Sequence, residues 1–280
     1  MKREIRWIGF DMDECLGSVM PLYMILPKLR HRHDFLQMFE LLYESEITGR
    51  TWLFRPAIFK ALRLLWSAYD RGMVEGAFIL SNNGSDILVK SVGLMMNYFI
   101  QRLINLDSLP NVFQIGIHLD APCRILFGDV KSFELVQHVL AAHDLPPCTS
   151  PDHLLFFDDM PHVLQSQIAH YVRVPPYFNH TDVTILADVL APLGEELDHW
   201  HSMVIDAVDA QKVDFSRLEN RYIMSPQSYD TTEDDEAMFR KAFHDFLGTA
   251  KPSRVNKKTL RGTKTRRTQR RMNRLAQALA

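Results

Sequence analysis

Short apolar segments that alternate with helical patterns constrain the fold of this 280-residue chain more than any other feature. Four segments have the length and the β-branched or aromatic content of buried strands: residues 4–10 (EIRWIGF), 76–80 (GAFIL), 112–119 and 153–157 (HLLFF). Apolar residues recur at three- and four-residue intervals over 56–68, 85–106 and 131–142. Strands that alternate with helices form βαβ units, so the sequence predicts an α/β fold with a three-layer, doubly wound parallel sheet.

Polar side chains follow three of these segments at the point where each predicted strand ends. Asp11 and Asp13 follow the first segment, Ser81 follows the second, and Asp158-Asp159 follows the fourth. Ligands of open parallel sheets bind beyond the carboxyl ends of the strands. We therefore expect these side chains to converge on one site.

The two acids of the DMDECLG segment are suited to separate tasks in phosphoryl transfer. Asp11 can attack phosphorus and form an aspartyl-phosphate, which divides one difficult displacement into two easier ones. Asp13 is placed to protonate the leaving oxygen and later to deprotonate the attacking water. Gly17 permits a tight turn just beyond them.

Clustered carboxylates repel one another and a phosphate, so the chemistry requires a divalent cation. Mg²⁺ suits an all-oxygen site. We expect it to be held by Asp11, by Asp13 through its backbone carbonyl, and by Asp158 with Asp159 directly or through water.

The oxygens of a phosphoryl group also need hydrogen-bond donors and positive charge. Ser81 and the backbone N–H groups of Asn82 and Asn83 supply neutral donors, and Lys131 at a predicted helix start supplies charge. Arg124 is the reserve candidate for the cationic role.

Each motif alone also fits a solvated turn, because acids at strand ends are common. The order of all four is what favours chemistry: a strand ending in DxD, a strand ending in Ser, a Lys at a helix start and a strand ending in DD. A thiol nucleophile at Cys15 is disfavoured, since no histidine lies nearby in sequence to act as its base.

This order resembles the haloacid dehalogenase superfamily, and within it the FCP/SCP (NLI-interacting-factor-like) phosphatases that act on the C-terminal domain of RNA polymerase II. That family's DLDETL motif is similar to DMDECLG, and its Arg-Pro helix with the following strand resembles FRPAIFKALRLLW and FILSN. Its lysine-bearing segment resembles GDVKSFELV, and its metal-binding strand and the loop beyond it resemble LLFFDDMPH and VPPYFNHTDVTILADVLAPL. The likeness covers about residues 4–195.

The resemblance implies a Rossmannoid core, Asp11 as nucleophile, Asp13 as acid and base, Lys131 as phosphate ligand, and a magnesium-dependent phosphatase acting on phosphoserine or phosphothreonine in protein. The chain departs from the family at Cys15, where Thr or Val is usual, and at Asp159, where Asn is usual. Two alternatives stay open: a phosphatase for a nucleotide, a nucleic-acid end or a small metabolite, and an inactive module that binds through its basic tail.

The predicted organisation has three parts. Residues 1–200 form the phosphatase domain with a small helical flap inserted at about 17–54, residues 201–250 form a helical extension, and residues 251–280 form a disordered basic tail. The tail holds eleven of the 32 Lys and Arg residues and none of the 34 acids, which leaves 21 basic against 34 acidic residues, a net charge of −13, for residues 1–250. Such a tail predicts a contact with nucleic acid or an import receptor through residues 251–274, and pairing of a disordered tail with the acidic body is the alternative.

The compartment is predicted from what the sequence lacks. Its three cysteines form no CxxC pair, the N-terminus lacks a secretory signal, and no run of about 18 apolar residues is uninterrupted. These features predict an intracellular protein, nuclear or cytoplasmic, without a membrane span.

Overall fold

Five parallel strands form one sheet in the computed structural model, which describes residues 4–26, 29, 32–82, 86–119, 126–127, 130–177, 183–193, 202 and 232–248. The strands are β1 (Trp7–Phe10), β2 (Gly76–Ser81), β3 (Phe113–His118), β4 (Leu154–Asp158) and β5 (His170–Arg173). Their order across the sheet is β3-β2-β1-β4-β5, and every neighbouring pair is parallel. The predicted α/β class and parallel sheet are therefore confirmed.

Four of the five strands lie where the sequence predicts them. The fifth, β5, was not predicted. It has only four residues, it lies at the edge of the sheet, and none of its side chains is fully buried. Because an edge strand is half solvated, its sequence HYVR carries polar residues and lacks the apolar run that marks the central strands.

The main helices connect these strands and cover the sheet. They are α1 (Met20–Ile25), α2 (Arg32–Ile47), α3 (Ile58–Asp70), α4 (Asp86–Ile104), α5 (Phe133–Ala142), α6 (Leu164–Gln167), α7 (Val183–Leu190) and α8 (Thr232–Gly248). Helix α5 begins two residues later than predicted, because the Ser132 side chain accepts the Leu135 N–H and caps it. Lys131 thus precedes the helix.

Side chains of the central strands alternate between two apolar cores. In β1, Ile8 and Phe10 face one core while Trp7 faces the other. The first core contains side chains of α2, α3, α4, α7 and α8, and the second contains those of α5 and α6. Buried residues on both faces give three layers, which is the arrangement that a nearly continuous apolar strand requires.

The predicted flap segment, about residues 17–54, contributes to the larger core. Leu22 and Ile25 of α1 and Met38 and Leu42 of α2 are fully buried in it. Its role as a flap over a site stays a prediction. Of the predicted helical extension 201–250, the structure describes residue 202 and helix α8, so the described part of this segment is helical.

Helix α4 is long and apolar enough to cross a membrane by length and composition. Many of its side chains are buried in the protein, including Val92, Met96 and Phe99 in the larger core. Buried apolar residues of this kind are typical of a core helix in a water-soluble protein.

Helix α8 crosses one face of the sheet antiparallel to the strands. Near its start, the Asp235 carboxylate pairs with Arg55, which also donates to the Pro175 carbonyl beyond the carboxyl end of β5. Near its end, the Phe246 carbonyl accepts a hydrogen bond from Arg6, which precedes β1. The basic segment that follows, 251–280, lies outside the described residues.

Two isoleucines allow the contribution of a core side chain to the free energy of unfolding to be compared with that of a surface side chain. Ile79 in β2 is 0% exposed and Ile47 at the end of α2 is 48% exposed. We expect Ile79→Ala to lower the free energy of unfolding by about 2–5 kcal/mol and Ile47→Ala to change it by less than about 1 kcal/mol, because only the first leaves a cavity. Urea unfolding measures both, and equal losses would contradict this core assignment.

Candidate active site

Strand register brings Asp11 and Asp158 to the same level at the carboxyl edge of the sheet. Phe10 pairs with Phe157, and the Asp11 backbone N–H donates to the Phe157 carbonyl at 2.8 Å. Strands β2 and β3 lie on one side of β1, and β4 and β5 lie on the other. The two acids therefore flank the point where the strand order reverses, which is the usual ligand-binding position in open α/β sheets.

The Lys131 ammonium contacts both of these carboxylates. Its Nζ lies 2.5 Å from Asp11 Oδ1 and 2.9 Å from Asp158 Oδ2. Its side chain is only 2% exposed, although it lies 120 residues from Asp11 in the chain. A buried ammonium is stable only when it is paired, so these two acids are what hold the lysine in the interior.

Asp159 completes a cluster of three buried carboxylates. One oxygen each of Asp11, Asp158 and Asp159 lies within 4.8 Å of the others. When all three carboxylates are ionised, the single ammonium leaves an excess of two negative charges, which suits a divalent cation. An all-oxygen donor set is the type that Mg²⁺ prefers. The residues therefore fit the predicted metal, and the role of each as a ligand stays a prediction.

The pKa values of the cluster show the cost of this charge. Burial raises the pKa of Asp159 to about 8, and its repulsion by Asp11 and Asp158 adds to the effect. Burial also raises the pKa values of Asp11 and Asp158, against the opposing attraction of Lys131. Burial alone would lower the pKa of Lys131, but the two neighbouring carboxylates raise it above its ordinary value. The lysine therefore stays charged, but its single positive charge does not neutralise all three carboxylates.

Asp13 lies on the loop that leaves β1, two residues beyond Asp11. It is half-buried, and its backbone carbonyl accepts a hydrogen bond from the Cys15 N–H at 2.6 Å, which forms a tight turn around Glu14. Glu14 has a φ of 55°, a conformation that residues other than glycine rarely adopt. The predicted roles of Asp13, as acid and base and as a metal ligand, stay predictions.

Cys15 is fully buried beside this cluster. Burial raises the pKa of its thiol well above the ordinary value, and the nearby Asp11 and Asp158 charges raise it further. A thiol is a nucleophile only when it is ionised. The structure therefore agrees with the expectation that Cys15 is not the nucleophile.

Ser81 ends β2 at the same edge of the sheet. Since Phe10 pairs with Ile79, Ser81 lies one residue beyond the level of Asp11 on the neighbouring strand. Asn82 follows directly, and both are described, whereas Asn83 and the reserve cation Arg124 lie outside the described residues. The phosphate-binding roles of Ser81, Asn82 and Lys131 stay predictions.

His162 and Tyr171 border the cluster, and neither is among the site residues predicted from the sequence. His162 Nε2 lies 3.7 Å from Asp158 Oδ2, and burial together with the Lys131 charge lowers the pKa of His162 to about 4. Tyr171 donates to the Met160 carbonyl, while the Met160 N–H donates to Asp158 Oδ1 at 3.0 Å. His162 is thus neutral near pH 7. Its position in DDMPH, just after the acids, is the one sequence signal that could have found it.

Comparisons of this chain with protein-family models, curated proteins and solved structures give no match. The family resemblance therefore depends on the motifs alone, and the site is interpreted from its own geometry.

Removing the Asp159 carboxylate should relieve the electrostatic repulsion among the three acids when no metal is present. The pKa of Asp159 is about 8 in the folded protein and 3.8 in the unfolded chain. Its ionisation therefore lowers the free energy of unfolding, and this loss grows as the pH rises from 3.8 to about 8. In EDTA at pH 8 we expect Asp159→Asn to raise Tm by about 5 °C, with a smaller rise at pH 5.

Exposed Asp144 provides the matched control, because it follows the C-terminal end of helix α5 whereas Lys131 precedes the start of that helix. Asp144→Asn removes one charge and retains a residue type that tolerates its positive φ. Differential scanning calorimetry at the two pH values measures both variants. A Tm of Asp159→Asn that is unchanged or lower at pH 8 would contradict the charge excess.

Proposed function

We propose that this protein is a magnesium-dependent phosphatase that transfers a phosphoryl group from its substrate to Asp11. The observation that carries the proposal is the buried cluster in which the Asp11 carboxylate lies beside Asp158, Asp159 and the Lys131 ammonium at the carboxyl edge of the sheet. A cluster with this charge is costly for stability, and perturbed carboxylates in such a position are typical of functional sites.

Asp11, Asp158 and Asp159 are the residues that would hold the magnesium ion, with Asp13 as the further candidate. When bound, the ion supplies positive charge that offsets the carboxylates and the transferring phosphoryl group. Asp11 must be ionised to attack, and its raised pKa means that Lys131 alone does not provide enough positive charge.

In the first step, an oxygen of Asp11 forms a bond to phosphorus while the bond from phosphorus to the substrate oxygen breaks. Asp13 donates its proton to that leaving oxygen, so the alcohol departs neutral. In this proposal Lys131, which contacts Asp11, binds the phosphoryl oxygens together with Ser81 and Asn82. The product of this step is an acyl phosphate on Asp11.

In the second step, Asp13 accepts a proton from water as the water oxygen attacks phosphorus. The bond between phosphorus and Asp11 breaks, which releases inorganic phosphate and restores the Asp11 carboxylate. Asp13 must therefore be protonated at the start of the first step and ionised at the start of the second. His162, which is neutral near pH 7, adds no positive charge beside Asp158.

Phosphoserine or phosphothreonine in protein is the substrate class that we propose, because the motifs resemble those of protein phosphatases. A nucleotide, a nucleic-acid end or a small metabolite is the alternative class. The two are separated by comparing kcat/KM for phosphoserine and phosphothreonine peptides with that for nucleotides and sugar phosphates.

The reaction is tested with p-nitrophenyl phosphate. We expect turnover in Mg²⁺, none in EDTA, and a fall in kcat on the order of 10³ or more for Asp11→Asn, because the amide cannot act as the nucleophile. Asp144→Asn is the matched control and should retain wild-type kcat. Undiminished turnover by Asp11→Asn would refute the mechanism, and a wild-type protein that is inactive on every substrate class would favour the inactive binding module.

The same mechanism predicts that Asp13→Asn accumulates the acyl phosphate. The nitrophenolate leaves without much help from an acid, so the first step proceeds, whereas the second lacks its base. Intact-protein mass spectrometry after rapid acid quenching should detect a phosphorylated form of Asp13→Asn that is absent from the Asp11→Asn/Asp13→Asn double variant. An equal amount of that form in the double variant would place the phosphoryl group elsewhere.

We further propose that residues 251–274 bind a polyanion such as nucleic acid, or an import receptor, and that the protein is nuclear or cytoplasmic. Helix α8, which precedes this segment, ends near Arg6 at the edge of the sheet opposite the carboxylate cluster. The chain therefore leaves α8 on the side away from the active site.

Salt dependence tests the nucleic-acid contact on the full chain. Neutralising four residues together, Arg266→Gln, Arg267→Gln, Arg270→Gln and Arg271→Gln, should weaken binding to single-stranded DNA and reduce the slope of log K against log salt by up to about 3. The exposed Arg71→Gln is the control. Equal slopes for the wild type and the quadruple variant in fluorescence anisotropy would exclude a contact through these arginines.

A further inference from the structure

Arg55 is a fully buried arginine that binds the loop after Asp13 at several points. Its Nε donates to the Cys15 carbonyl at 3.0 Å, and its Nη2 donates to the Glu14 carbonyl at 3.0 Å. Its backbone N–H donates to the Leu16 carbonyl at 3.0 Å. Three consecutive carbonyls of this loop are therefore bound to a single residue, whose side chain is 1% exposed.

These contacts hold the loop in a shape that it would not adopt alone. Glu14 has a positive φ, which is unfavourable for a residue with a side chain. Its carbonyl accepts hydrogen bonds from both Arg55 and the Tyr177 N–H, the latter at 2.8 Å. Because Asp13 directly precedes Glu14, the backbone conformation of Glu14 fixes the orientation of Asp13 relative to the rest of the loop.

A close approach of backbones brings Arg55 to the loop. The Ser18 N–H donates to the Leu53 carbonyl at 2.7 Å. A Cβ on Gly17 would lie 2.3 Å from the Leu53 oxygen and 2.8 Å from the Phe54 Cα, so only glycine permits this approach. The segment that ends at Arg55 is thus fixed against the catalytic loop.

Asp235 in helix α8 is the carboxylate that pairs with Arg55. Its Oδ2 accepts from Arg55 Nη1, and the Asp235 side chain is 6% exposed. The two residues lie 180 positions apart in the chain. A buried guanidinium needs a counter-charge, and removal of one partner leaves the other uncompensated. The position of Arg55 therefore depends on α8.

We propose that Asp235, acting through Arg55, is a positioning residue for the catalytic loop, so that helix α8 belongs to the active-site apparatus. This inference deepens the proposed phosphatase function and rests on it. Asp235 does not touch the reacting atoms. It neutralises the guanidinium, whose hydrogen bonds to Glu14 and Cys15 hold Asp13 in place for its two proton transfers.

A neighbouring ion pair of helix α8 provides a matched control. Glu236 of α8 pairs with Lys60 of α3, but the Lys60 side chain is 51% exposed. Glu236→Gln and Asp235→Asn each remove one negative charge and one ion pair from adjacent positions of α8. They differ in that only Asp235 contacts the residue that binds the loop.

The experiment compares wild type, Asp235→Asn, Asp235→Glu and Glu236→Gln in the full chain. For p-nitrophenyl phosphate in Mg²⁺ we expect Asp235→Asn to lower kcat at least about tenfold with KM changed less than about threefold, while Glu236→Gln leaves both within about twofold. Asp235→Glu, which keeps the charge, should recover kcat to within about threefold of wild type.

Amide hydrogen exchange of residues 11–18 gives a second readout that needs no activity. The Cys15, Leu16 and Ser18 N–H groups are hydrogen-bonded in this loop. We expect them to exchange faster in Asp235→Asn and at the wild-type rate in Glu236→Gln. If the wild type hydrolyses nothing, the phosphatase proposal fails while this exchange result still decides whether Asp235 positions the loop.

Two outcomes would overturn the inference. One is wild-type kcat and wild-type loop exchange in Asp235→Asn. The other is an equal loss in Asp235→Asn and Glu236→Gln, which would indicate a general effect of charge. Should Asp235→Asn fail to fold, Arg55→Lys tests the link from the other side, because it keeps the charge but cannot make the same set of loop contacts; wild-type kcat and exchange in that variant would equally refute the proposal.

Discussion

The excess of negative charge at the carboxyl edge of the sheet is the constraint on which the candidate site depends. Asp11, Asp158 and Asp159 are buried together, and the Lys131 ammonium compensates only part of their charge. Burial of like charges costs free energy, and apolar side chains at these positions would make the fold more stable. The same arrangement has a clear use if a divalent cation and a phosphoryl group complete the charge balance, which is why the cluster favours chemistry over a solvated turn.

The fold supports this cluster through rigid elements. Parallel pairing of β1 with β4 aligns Asp11 and Asp158, and apolar cores on both faces of the sheet prevent either strand from moving independently. A second buried charge, Arg55, holds the loop that carries Asp13 and connects it to helix α8. The edge that carries the candidate site therefore contacts segments from both ends of the described chain, since α8 lies more than 200 residues beyond β1.

Much of this could be predicted from the sequence, and the exceptions have physical causes. The central strands, the parallel sheet and the meeting of Asp11 with Asp158 follow from apolar runs whose ends carry polar residues, and Lys131 was predicted to join them from its position at a helix start. Strand β5 escaped prediction because an edge strand needs no apolar run. The roles of His162 and Arg55 were not predicted, because the packing of the folded chain defines their partners. The sequence around Arg55 indicates only the start of a helix, and the carboxylate that pairs with Arg55 belongs to a helix far away in the chain.

The local sequence specifies which segments become strands and which residues stand at their ends, because apolar periodicity and local propensity are encoded within a few neighbouring positions. It also determined that acids, a serine and a lysine would gather at one edge, since parallel strands share a direction. Three features are defined only in the folded chain: the degree of burial, the sharing of one ammonium by Asp11 and Asp158, and the pairing of Arg55 with Asp235. These depend on distances between residues far apart in the chain, and burial is what turns such distances into large electrostatic effects.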